Sequence, residues 1–152
     1  MKILIIQQRY GIGDMVIFLP YIHAISKKFE TPVSILAKES SKPHDIFKYD
    51  KHIHEVITLD ENKDGLGGFF KLSKELKEKN FDMVFIFNSS LRYSLVAKFS
   101  GIKKIFQYPL FRSKDNIVLS AKIFTENIVG KVVSTEPNLI MNNIKNNFDR
   151  SF

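Results

Sequence analysis

The sequence predicts an α/β fold, a Rossmann-like doubly wound parallel sheet of about five strands. Three observations carry this. Short apolar runs at Lys2–Gln7, Val33–Ala37, Glu55–Leu59, Met83–Phe87 and Lys104–Tyr108 alternate with segments of helical periodicity. Most of these runs lack polar alternation, as strands do when helices cover both faces of a parallel sheet. The first run leads directly into a glycine-bearing turn, Arg9-Tyr10-Gly11-Ile12-Gly13-Asp14, which opens the first helical pattern. Strands alternating with helices in this way build right-handed βαβ units.

The first helix is expected from about Asp14 to Phe29, because Met15, Phe18, Leu19, Ile22, Ile25 and Phe29 recur at spacings of three to four. Pro20 falls early in it and removes one ladder hydrogen bond. After the second strand, a short helix is expected around Pro43–Tyr49. Gly68–Lys79 follows the third strand, with Phe69, Leu72 and Leu76 on one face. A fourth helix runs from Ser90 to about Phe99 and is stopped by Gly101. Beyond Tyr108 the pattern weakens. Asp115–Val129 carries Ile117, Leu119, Ile123, Phe124 and Ile128 ahead of Gly130, which reads as one more helix. The segment Glu136–Phe152 is polar and Asn-rich and reads as a connecting helix. The expected division is therefore a Rossmann-like domain over 1–135 and the start of a connection over 136–152.

The chain has 152 residues, 44% of them apolar and 26% charged, enough for one domain with a sizeable core. It has no apolar run of transmembrane length. Its N-terminus enters a strand without the apolar core of a signal peptide, so a cytoplasmic protein is expected. Zero cysteines exclude disulfides and thiolate metal sites. The net charge of +7 favours an anionic partner, although Lys71, Lys74, Lys77 and Lys79 also read as a solvated helix face. The basic residues form no aromatic-interleaved stripe, so nucleic acid is not the expected partner.

The turn after the first strand is the main candidate site, since open α/β sheets bind ligands at such junctions. Gly11-Ile12-Gly13 starts like a dinucleotide fingerprint, but Val16 stands where the third glycine belongs. Asp14 would also face a pyrophosphate with negative charge, so Glu39 near the end of the second strand does not rescue a nicotinamide or flavin site. Asp14 reads both as a helix cap and as a carboxylate fixed in direction, which suits a general base acting on a bound hydroxyl. Asn88-Ser89-Ser90-Leu91-Arg92 follows the fourth strand on the same sheet edge. It is either a capping turn with a solvated arginine or a set of hydroxyls and a guanidinium for a sugar hydroxyl or phosphate. Arg112 and Lys114 would add positive charge to that rim.

Other patterns fail on spacing. Asp60-Glu61-Asn62-Lys63-Asp64-Gly65 begins like a calcium loop, but Lys71 occupies the bidentate glutamate's position. His44, His52 and His54 lack a patterned carboxylate, so no metal is expected. Neither a nucleophile elbow nor a P-loop is present.

Several separated segments together resemble the N-terminal, acceptor domain of glycosyltransferase family 9, the lipopolysaccharide heptosyltransferases. They are Lys2-Ile3-Leu4-Ile5-Ile6, then Ile12-Gly13-Asp14 and Leu19-Pro20; His54-Glu55-Val56-Ile57-Thr58-Leu59-Asp60; Phe81-Asp82-Met83-Val84 leading to Ser90-Leu91-Arg92, Ala97 and Gly101; and Glu136-Pro137-Asn138-Leu139. Each is weak alone, and their order and spacing span nearly the whole chain. The resemblance implies one half of a GT-B architecture and metal-free, inverting transfer of a heptose-like sugar to a lipopolysaccharide-core acceptor. It implies Asp14 as the catalytic base. Gly11, Gly13, Ser89, Ser90, Arg92 and Arg112 form the substrate-binding set, with Ser90 and Arg92 matching the family's Ser-Leu-Arg turn.

No resident cofactor is implied. An ADP-heptose-like nucleotide-sugar donor would be held by a C-terminal domain that this chain does not include, so the isolated chain is expected to fold and not to catalyse transfer. The implied partners are an anionic lipid-linked saccharide and the cytoplasmic membrane surface. Tyr10 and Gly11 stand where many members carry small hydroxyl residues, which leaves the acceptor's identity open. The alternative is a stand-alone, non-catalytic sugar- or nucleotide-binding module, or one subunit of a split transferase.

Overall fold

A computed structural model describes residues 1–8, 11–59, 65–88, 91–107 and 123–127. Its elements are β1 (Ile3–Gln7), α1 (Ile12–Phe29), β2 (Val33–Lys38), a single 3-10 turn (Glu39–Ser41), α2 (Pro43–Ile46), β3 (Ile53–Leu59), α3 (Gly65–Lys79), β4 (Met83–Ile86), α4 (Leu91–Phe99) and β5 (Lys104–Gln107). A further helical stretch covers 123–127. The five strands form one sheet in the order β3-β2-β1-β4-β5, and every pairing is parallel.

The period-two geometry of the strands sorts one apolar run onto two faces. Ile3 and Ile5 of β1 join Val33, Ile35, Met83 and Phe85 beneath α1 and α2. Leu4 and Ile6 join Leu36, Ile57, Val84 and Ile86 beneath α3 and α4. Residues 3–6 are thus all buried although their neighbours point in opposite directions, which is why the run shows no alternation. α1 contributes Met15, Val16, Phe18, Leu19, Tyr21, Ile22 and Ile25 to its face, each fully buried side chain stabilising by about 1.5–3 kcal/mol. The outer strand β5 keeps Lys104 and Phe106 exposed.

α1 starts two residues before the expected Asp14. Gly11 is the N-cap in extended backbone, and Asp14 is the third helical residue rather than the cap. α2 is only four residues long, and α3 starts at Gly65 rather than Gly68. The stop at Gly101 is as expected. With φ +77°, Gly101 donates to the Lys98 carbonyl and Ile102 to the Ala97 carbonyl, closing α4 as a Schellman turn with Ile102 in the core. The same pair of bonds ends α1, where Glu30 takes the left-handed position normally given to glycine. Tyr108, the segment 60–64 and the connection over 136–152 lie outside the described residues.

Candidate functional site at the strand-order reversal

The chain runs outward from β1 in both directions, to β2 and β3 on one side and to β4 and β5 on the other. The loop leaving β1 enters α1 on one face, and the loop leaving β4 enters α4 on the opposite face. The strand order reverses between β1 and β4, and such a reversal places a crevice at the carboxyl ends of those two strands. That is where this architecture binds ligands. Gly11–Asp14 stands on the β1 side of the crevice, and Asn88, Leu91 and Arg92 stand on the β4 side.

On the β1 side, the Gly11 N–H donates to the Asp14 Oδ2 at 3.2 Å. This is the half of a capping box that runs from the third helical residue back to the cap. It satisfies one orphan donor of α1, places a carboxylate at the positive end of the helix and fixes that carboxylate's direction. Asp14 remains partly exposed. The Gly11 position explains its residue type: a Cβ there would stand 3.2 Å from the Asp14 Oδ2. Gly13 differs, since a Cβ added there meets nothing within 4 Å.

On the β4 side, the Arg92 Nη2 donates to the Gly65 carbonyl at 3.0 Å, and the guanidinium lies 5.9 Å from the Phe69 ring centroid. Arg92 therefore ties the first turn of α4 to the first turn of α3, on the same sheet edge as Asp14. Ser89, Ser90 and Arg112, the remaining candidates, lie outside the described residues, as does Lys114.

Gln7 was not singled out from the sequence, and Asn88 entered only as the first residue of the turn after β4. Gln7, the last residue of β1, is fully buried with its Nε2 3.9 Å from the Met15 Sδ. Asn88 buries its amide nitrogen at the end of β4. A polar residue closing an otherwise apolar strand run is the signal that marks both. Behind them Phe18, Phe87 and Phe124 stack edge to face, at centroid distances of 5.4 and 5.2 Å, and seat the 123–127 stretch against α1. Burial and the nearby Glu126 charge push the Tyr21 phenol above its ordinary range.

The histidines sort differently from their spacing. His44 and His54 are exposed. The His23 Nε2 lies 2.5 Å from the Asp50 Oδ2, and the Asp50 Oδ1 accepts the His52 N–H at 2.9 Å. The His52 Nδ1 is 3.2 Å from the Ser26 Oγ. His23 is nine residues along α1 from Asp14, about 14 Å away along the axis, so this cluster ties α1 to the start of β3 and lies apart from the crevice. Among the described residues no group of three His, Cys, Asp or Glu side chains is arranged to hold a metal ion.

No protein-family model matches the sequence, and no curated protein does. Solved structures do match the fold. The glycosyl transferase family 9 protein from Veillonella parvula superposes with a TM-score of 0.69 at 16% identity, over 90% of this chain and 43% of that one. The fold is that of a family 9 glycosyltransferase half. The Escherichia coli ADP-heptose lipopolysaccharide heptosyltransferase II matches with a TM-score of 0.57 at 22% identity, over 70% of this chain and 30% of its own. The E. coli heptosyltransferase WaaC with ADP matches with a TM-score of 0.59 at 11% identity, over 86% and 48%. The chain thus spans less than half the length of each of these three proteins.

Proposed function

We propose that the chain is the acceptor-binding part of an inverting glycosyltransferase that moves a heptose-like sugar from a nucleotide-sugar donor to a lipopolysaccharide-core acceptor. The observation that carries this reading is the Asp14 carboxylate, held on the Gly11 N–H at the mouth of the crevice between β1 and β4. The fold's likeness to heptosyltransferases, one of them solved with ADP, supports the donor class.

In this reading Asp14 takes the proton of an acceptor hydroxyl as that oxygen bonds to the anomeric carbon. The bond from that carbon to the nucleoside diphosphate breaks, and the diphosphate leaves with the electron pair, inverting the centre. Anchoring one carboxylate oxygen fixes the base in direction before the acceptor arrives, which is the positional part of general-base catalysis. Gly11 and Gly13 leave room for the acceptor over the first turn of α1. Ser89, Ser90, Arg92 and Arg112 would face its hydroxyls and phosphates. An anionic, lipid-linked acceptor suits the net charge of +7 and would hold the protein at the inner face of the cytoplasmic membrane.

The test is sugar transfer by the complete gene product from ADP-heptose to a lipopolysaccharide-core acceptor. Asp14→Asn should lower turnover by about 10²- to 10⁴-fold while the melting temperature stays within a few degrees. Turnover within about threefold of the wild type would remove Asp14 from the role of base.

A further inference from the structure

Outside the crevice, α3 and α4 carry large apolar side chains that stand exposed among the described residues. Leu66 is 80% exposed, Phe70 60% and Phe99 59%. Phe69, Phe70 and Phe99 nonetheless touch one another, with ring centroids 5.3, 5.4 and 6.4 Å apart and near-perpendicular planes. They form one ridge rather than scattered apolar residues. The helices run side by side in register. Arg92 bonds the Gly65 carbonyl and Ser100 bonds the Ser73 carbonyl, so Phe99, leaning back along α4, meets Phe69 and Phe70. The core-facing stripe of α3 is Gly68, Leu72 and Leu76; Phe69 packs partly against that core, while Leu66, Phe70 and Phe99 stay exposed. Contiguous exposed aromatic surface of this kind marks an interaction site.

The charge around the ridge identifies the occupant. Lys71, Lys74 and Lys77 of α3 and Lys98 of α4 are exposed on the two helices that carry the ridge, and α3 also bears Glu75 and Glu78. Phenylalanines that enter the headgroup boundary beside lysines that meet anionic headgroups form the pattern of an interfacial contact. A protein partner's apolar core would not select for that cationic surround. The ridge also begins at the carboxyl edge of the sheet, where Leu66 opens α3 and the exposed Leu91 opens α4 beside the crevice.

We propose that Leu66, Phe69, Phe70 and Phe99, with Lys71, Lys74 and Lys98, dock the protein on an anionic phospholipid surface. Docking there sets the crevice lip at the membrane, where a lipid-linked acceptor is presented. This deepens the transferase reading by naming the face that meets the membrane, and it rests on that reading only for its purpose.

The experiment is sedimentation of the 152-residue chain with phosphatidylcholine vesicles, with and without about 30 mol% phosphatidylglycerol. The wild type should bind the anionic vesicles, and added salt should weaken the binding. Phe70→Ser with Phe99→Ser should lower partitioning by about tenfold or more per phenylalanine. Lys71→Glu with Lys74→Glu should lower it by about fivefold or more per lysine. All four side chains are exposed, and unchanged circular-dichroism melting confirms that each variant folds.

Absence of wild-type binding to anionic vesicles overturns the proposal, as does equal binding by the double-serine variant. A double-serine variant that turns a self-associated chain into a monomer while still binding vesicles assigns the ridge to a second copy instead. The vesicles contain neither donor nor saccharide acceptor. Failed docking with Asp14-dependent transfer intact therefore removes this proposal alone, and failed transfer with docking intact removes only the transferase reading.

Discussion

Replacing Asp50 by alanine tests the buried polar cluster that ties α1 to the start of β3. The His23 and Asp50 side chains are 6% and 2% exposed, and the carboxylate serves two partners, the His23 ring and the His52 N–H. Removing it strands the His23 donor in the interior and leaves the part-buried His52 N–H without this acceptor. Breaking a buried pair of this kind destabilises by about 3–5 kcal/mol, because the remaining group keeps its desolvation penalty without its partner. For a chain of this size that is a fall on the order of 10 °C in melting temperature. Asp50→Asn keeps the shape and one acceptor and should lose less, about 1–3 kcal/mol. Urea unfolding at neutral pH, followed by circular dichroism, measures both. A loss below about 1 kcal/mol for the alanine variant would refute the reasoning, because the pair would then contribute no more than an exposed one.

Acid should act on the same cluster. Burial pushes the Asp50 carboxyl up, but the hydrogen bond and charge of His23 and the His52 contacts outweigh it and hold the group below its ordinary 3.8. Burial and the adjacent His23 charge likewise hold the His52 imidazole below its ordinary 6.5. Both folded values are depressed, so both contributions are present above the unfolded values and fade as pH falls. Unfolding free energy measured against pH should therefore decline first below 6.5 and again below 3.8, and Asp50→Asn should abolish the second decline while leaving most of the first. Gly11→Ala forces a Cβ to within 3.2 Å of the Asp14 Oδ2, so it should impair transfer by the complete protein while costing less than about 1 kcal/mol of stability. Gly13→Ala meets no neighbour inside a helix and should raise stability by about 0.5–1 kcal/mol; if transfer falls all the same, acceptor backbone or sugar approaches that position. Leu76→Ala, at a fully buried position under α3, should destabilise by about 2–5 kcal/mol in the same urea assay.

The strand and helix order was legible in the residues because period and burial are local signals. Unalternated runs at Ile3–Ile6 and Met83–Phe87 announced a sheet covered on both faces, and the spacing of Met15, Phe18, Ile22 and Ile25 announced α1. The turn at Gly11–Asp14 was legible as a strand-to-helix junction, because two glycines and an acid follow an apolar run and precede a helical period. Helix ends were less legible. The Gly101 stop followed from residue type, whereas Glu30 closes α1 in the left-handed region through backbone bonds that no residue type signals. The helix start also moved, because Asp14 caps by reaching back three residues and not by occupying the cap itself.

Tertiary structure alone decided which residues share a surface. The sequence grouped His44, His52 and His54 by proximity, but the fold pairs His52 with Ser26 and His23 with Asp50, partners 26 and 27 residues apart. It gave no reason to join Phe99 to Phe69 and Phe70, which meet only because α3 and α4 lie side by side on one face of the sheet. Even the crevice is a product of assembly. Asp14 and Arg92 reach one edge because β1 and β4 became neighbours when the strand order reversed. Local sequence determines the period, the burial stripe and the turn chemistry of each element, since those depend on residues a few positions apart. Long-range pairing depends on which faces find each other when the core closes, and only the folded chain carries that information.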